Sequence, residues 1–124
     1  MPARSVSTLL VALSFLLILA VPAPAASEFR QVSERETFLR LVEGRELRRF
    51  GIRLEVTPDG EIRGRAFGYT VTGAWDWEGG YFCRDMAYGR NPVGYNCQAV
   101  LLRGDTLRFI SDQGQGEFAD LRLR

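Results

Sequence analysis

The 124-residue chain has no histidine and no lysine; all 16 of its basic residues are arginine. Without His, the commonest general base and the commonest metal ligand are missing. Without Lys, Schiff-base chemistry and amine nucleophiles are excluded. Cysteine is scarce as well: only Cys83 and Cys97 are present. Their spacing is far wider than the Cys-x-x-Cys of redox sites. An isolated pair in an exported protein reads as one structural disulfide; the competing reading is two buried free thiols. Nor is there an excess of charge of either sign. The 16 arginines face 15 acidic residues with no basic block, which argues against nucleic acid or an anionic membrane surface as the main partner. No catalytic residue, cofactor or metal ligand is assigned.

What is present begins with a targeting segment. Arg4 supplies a positive start, Leu9 to Val21 is an apolar run broken only by Ser14, and Pro22 and Pro24 stop any helix. Ala23-Pro24-Ala25 fits the small-x-small cleavage rule, with the cut after Ala25. A membrane span needs about 20 apolar residues, more than this run offers, so a cleaved signal is expected rather than an anchor. No Cys at the cleavage site calls for a lipid anchor. The expected organisation is a signal peptide over 1–25 and one domain over 26–124. The processed chain is near neutral, with 15 arginines against 15 acidic residues once Arg4 is removed. A domain of this size buries roughly 60–65% of its unfolded surface, a real but small core. The expected localisation is periplasmic or secreted, with no membrane partner once processed and a periplasmic protein as a candidate partner.

The processed chain starts with helical signals and then changes period. Ser33 and Glu36 form a capping-box pattern; Phe38, Leu41 and Val42 share a face, and Gly44 is placed to end the helix. This predicts one short helix lying over the hydrophobic end or face of a sheet. From Leu47 the period is two. Ile52, Leu54 and Val56 point inward against Arg53, Glu55 and Thr57, and Ile62, Gly64 and Ala66 continue that face. Tyr69, Val71, Gly73, Trp75 and Trp77 share another face, opposite Asp76 and Glu78. Turns are expected at Pro58-Asp59-Gly60, Gly68, Gly79-Gly80, a loop over Gly89–Gly94, Arg103-Gly104-Asp105 and Gln113–Gly116. Ala119, Leu121 and Leu123 are inward in the last strand. The predicted fold is mainly β: an antiparallel meander of about six to eight strands, as a curved sheet or small barrel, with one short N-terminal helix. Cys83 and Cys97 then fall on adjacent strands, and their disulfide pins the two arms of one hairpin.

The densest stretch for chemistry is Gly73–Asp85. Asp76 and Glu78, two apart on one strand, share a face at roughly 6–7 Å, a separation a glycosidase could use. The plainer reading makes them the wet face of the Trp strand, with Arg63, Arg65 or Arg84 as cross-strand neighbours. Trp75 and Trp77 are expected to fill the core, with stacking on a sugar or apolar ligand as the alternative. Trp75, Asp76, Trp77, Glu78 and Arg84 together form the candidate binding surface. Gly114 to Ala119 formally matches G-x-G-x-x-A, but no helix and no βαβ unit can follow; it is expected to be a turn into the last strand.

The elements GRAFG (Gly64–Gly68), GAWDWEGGYFCRD (Gly73–Asp85), GYNCQAV (Gly94–Val100) and the final LRFISDQGQGEFADLRLR resemble a family of small exported α-proteobacterial proteins. Its members often carry the label dihydrodipicolinate reductase. Such a reductase is cytosolic, longer, built on a Rossmann domain, and uses His and Lys. This chain has none of those features, so the resemblance carries no catalytic residue across and implies no such activity. Gly73-Ala74-Trp75 also resembles the G-x-W strand of exported bacterial protease inhibitors, which are small disulfide-closed barrels.

Three readings follow. A non-enzymatic exported domain binds something through its surface or barrel mouth. An exported enzyme inhibitor is the alternative, and a protruding arm before Ser33 would favour it. A small-ligand barrel or a carboxylate enzyme is the third. The enzyme requires a closed apolar cavity with a buried carboxylate at its base.

Overall fold

The period-two run that starts at Leu47 pairs with itself strand by strand. In the computed structural model, which describes residues 2–5, 10–21 and 28–124, it builds strands β2 (Leu47–Arg49), β3 (Ile52–Val56), β4 (Glu61–Ala66), β5 (Tyr69–Glu78), β6 (Tyr81–Tyr88), β7 (Asn91–Arg103), β8 (Thr106–Ile110) and β9 (Phe118–Leu123). All neighbours are antiparallel. β9 pairs with both β2 and β8, and β8 pairs with β7, so these eight strands close into a barrel. Closure removes the free edges that an open sheet would expose. A ninth strand, β1 (Arg30–Val32), lies on β7 at Leu102–Val100, beyond the part of β7 that β6 covers. The processing site at Ala23-Pro24-Ala25 lies outside the described residues. Residues 10–21 are exposed and carry no regular structure, and no described helix is long and apolar enough to cross a membrane.

The inward faces follow the alternation. Val56, Ile62, Ala66, Val71, Trp75 and Leu121 are buried, as are Val100, Leu107 and Phe109. Helix α1 (Arg35–Val42) closes one end of the barrel. Phe38, with no exposed surface, packs against Trp75, Trp77 and Phe82 with ring centroids 5.1–5.5 Å apart, and against Phe109 at 6.4 Å. Each indole N–H finds a carbonyl: Trp75 donates to Thr57 (2.9 Å) and Trp77 to Ser33 (3.0 Å). Because the strands alternate in direction, the turns at 57–60, 79–80 and 104–105 lie at the helix end. Those at 50–51, 67–68 and 89–90, with the β8–β9 connection, lie at the other end. That connection opens on a single coil, α2 (Ser111–Gly114), in which Asp112 and Gln113 take left-handed angles, φ 54° and 56°.

Two local expectations are corrected. Ser33 and Glu36 do not form a capping box: the N-cap is Glu34, with no side-chain cap bond. Ser33 stands one residue too early to reach the first amides, and its carbonyl is taken by the Trp77 indole. The expected loop over Gly89–Gly94 is only the two-residue turn Gly89-Arg90, and Asn91-Pro92 already belongs to β7. The register shifts there, Met86 facing Gly94 but Ala87 facing Pro92. The extra residue, Val93, makes a bulge, one of the few places in a sheet that accepts a residue without an N–H.

Candidate functional site

The pleat divides the five residues grouped by sequence. Trp75 and Trp77 face inward, beneath the helix. Asp76 and Glu78 face outward and are exposed, opposite Cys83 and Tyr81 of β6. No described arginine pairs with either of them. The expected cross-strand partners are elsewhere: Arg63 pairs with Glu55 (3.5 Å) and Glu61 (3.4 Å), Arg65 donates to the Gly68 carbonyl (3.1 Å), and Arg84 turns into the barrel. The ligating atoms of Asp76, Glu78 and Cys83 lie within 4.8 Å of one another. Cys83 is spent in a disulfide, so this group offers no thiolate to a metal.

That disulfide is the one expected. Cys83 and Cys97 are direct cross-strand partners with Cα atoms 3.9 Å apart, closer than the roughly 5 Å spacing of adjacent strands. Cys83 is almost wholly buried, and the Tyr95 hydroxyl rests 3.3 Å from the Cys97 sulfur. Partial desolvation, then the Glu78 and Asp76 carboxylates, hold the Tyr95 phenol above its ordinary pKa. The bond fits an oxidising compartment.

The barrel interior holds a cavity of about 320 Å³. Phe82 and Phe109, whose other faces meet Phe38, form its floor. Leu47, Leu54, Val56 and Ile62 make one wall; Arg84, Met86 and Gln98 make the other. Arg49, Ser111, Glu117 and Phe118 line it towards the end without the helix. The β8–β9 connection that carries Ser111 and Glu117 is tied to the wall by Asn96, whose amide donates to the Asp112 carboxylate (2.7 Å) and accepts from the Asp112 backbone N–H (2.9 Å).

Arg84 is the one charged side chain buried among the described residues, at 8% exposure. Its guanidinium donates to the Gly94 carbonyl at 2.7 Å. No described carboxylate stands within ion-pair reach of it. Burial lowers its pKa from the ordinary arginine value, a shift partly offset by the charge of Asp85 on the outer face. By residue type Arg84 belongs outside with the carboxylates, yet the sequence also carries the signal that sets it inside. A two-residue turn at Gly79-Gly80 fixes Glu78 opposite Tyr81, hence Trp75 opposite Arg84, and directly opposed residues share a face.

Compared with protein-family models, with curated proteins and with solved structures, the chain finds no match.

Proposed function

We propose that the chain is an exported, non-enzymatic binding protein, periplasmic or secreted, that takes a small apolar molecule into its barrel. The observation that carries this reading is the cavity itself. Eight-stranded barrels are just wide enough to be filled by side chains or to hold one small ligand. Here about 320 Å³ is left unfilled, at the lower end of the roughly 300–1,000 Å³ typical of small-molecule sites. Most of its lining is aliphatic or aromatic, with a few convergent polar groups, as such sites are. The buried charge beside it is a guanidinium, not the carboxylate that an acid–base enzyme of this plan would need. Of the arm before Ser33, the described stretch Arg30–Val32 lies as β1 on β7, which favours an interior site over a protruding inhibitor arm. The reductase label of the family it resembles gains no support, because the described strands are all antiparallel and contain no βαβ unit to seat a dinucleotide.

Export is supported by the apolar run ending at Val21, by Ala23-Pro24-Ala25 and by the disulfide. Intact-mass measurement of the periplasmic fraction is expected to show a chain starting at Ala26; Met1 retained on a cytosolic protein overturns export. For binding, native mass spectrometry of the protein purified from periplasm is expected to show an adduct of small-molecule mass. Medium-chain amphiphiles are expected to raise its melting temperature, and NADPH to leave it unchanged. No adduct, together with no shift from any apolar compound, overturns the interior site.

A further inference from the structure

We infer, building on the reading of the barrel interior as the binding site, that the ligand is an apolar carboxylate whose head group pairs with Arg84. A guanidinium carries five N–H donors in a rigid fork, and the protein visibly uses this one on a single carbonyl, that of Gly94. No described side-chain nitrogen is both buried and without a hydrogen bond, so the unused N–H groups of Arg84 remain accessible beside the cavity it lines, where the charge can still take a partner. No described Asp or Glu supplies the partner, while a carboxylate ligand would supply it in the two-pronged geometry for which arginine is suited.

The rest of the cavity limits what can be attached to that head group. Leu54, Val56, Ile62 and Phe109 offer an apolar molecule contact and offer a polar one no hydrogen bond. The register fixes the orientation. Gly94 stands opposite Met86, one inward position nearer the open end than Arg84, whereas Phe82 lies one inward position nearer the helix. The guanidinium therefore sits above the Phe82–Phe109 floor, and the ligand enters with its apolar end first. The charge state is also constrained. Among the described residues Arg49 is the only other cation lining the cavity, and Glu117 lies there with the opposite sign. One buried arginine beside one acid suits a monoanion rather than a phosphate dianion.

Calorimetric titration of the oxidised protein with octanoate and with octan-1-ol tests this at a pH where octanoate is ionised. Octanoate is expected to bind roughly ten- to a hundred-fold more tightly, the range of a charge-assisted hydrogen-bonded pair. Arg84→Met is expected to abolish that preference while octan-1-ol still binds. Equal affinity of the wild type for acid and alcohol overturns the inference, as does an acid preference that survives in Arg84→Met. Should that variant fail to fold, the wild-type comparison still decides. If neither compound binds the wild type, the interior site itself fails, an outcome distinct from an alcohol binding as well as the acid.

Discussion

At the scale of single residues, the best-formed ion pair is on the outer wall. Arg108 meets Asp120 through two bonds of 2.8 and 2.9 Å, and the Arg108 guanidinium also lies 3.9–4.1 Å from the centres of the Phe29 and Phe118 rings. The hydrogen bond from Arg108 is the main cause that lowers the Asp120 pKa; burial opposes it, and the charges of Arg108, Arg103 and Arg49 add to it. A carboxyl whose folded pKa lies below its unfolded one adds stability that is fully present above the unfolded pKa. That stability is lost as pH falls through the folded pKa. Acid titration of unfolding should thus show stability falling as pH drops below the ordinary carboxylate pKa of about 4. Asp120→Asn should flatten that part of the curve and leave the neutral-pH shape unchanged; an unaltered acid limb would show that the pair does not stabilise the fold. The same scale shows what was legible and what was not. The core face was readable from alternation, down to Leu121 and Leu123. Arg84 departs from expectation because its residue type suggests solvent, whereas the register dictated by the Gly79-Gly80 turn sets it inside, opposite Trp75.

At the scale of elements, the β6–β7 hairpin combines a bulge, a proline and a crosslink. Pairing is regular from Phe82–Gln98 to Met86–Gly94 and then slips by one at Val93. The bulge was not readable from sequence, because Gly-Arg-Asn-Pro-Val-Gly carries turn residues throughout and the pairing that makes a strand of it comes from β6. The capping box failed for a similar reason, since a tertiary bond to Trp77 claimed Ser33. β1 is a three-residue strand, too short for alternation to declare itself. The crosslink, by contrast, was legible, because a pair flanking a turn has little choice of partner. It joins residues 14 apart, and in the chain-entropy view a loop of that length is worth about 3 kcal/mol. Replacing Cys83 and Cys97 by Ser should lower the unfolding free energy by roughly 2–4 kcal/mol, a large share of the 5–15 typical of a domain. Denaturant titration measures this. A double variant with the midpoint of the oxidised parent would show that the hairpin's pairing alone fixes the register.

At the scale of the whole molecule, the barrel is packed unevenly. The end closed by α1 is filled by Trp75, Phe82 and Phe109 around Phe38, whereas the middle beyond Phe82 and Phe109 is not. Empty apolar volume costs stability, because the lining atoms lose contacts on one side. A protein under selection for stability alone would fill it, and the substitution needed is small. Leu54, half-buried on β3, faces the cavity from the wall opposite Arg84. Leu54→Trp directs an indole into that space. If the space exists to hold a ligand, the substitution should raise or preserve the unfolding midpoint, since the added ring gains contacts without displacing the core. It should also abolish the thermal shift produced by octanoate. Overpacking would instead cost about 1–3 kcal/mol and would show as a lower midpoint of the unliganded protein. Undiminished octanoate binding by a stably folded Leu54→Trp protein would place the ligand outside the barrel. The binding surface would then be the outer wall around Asp76 and Glu78.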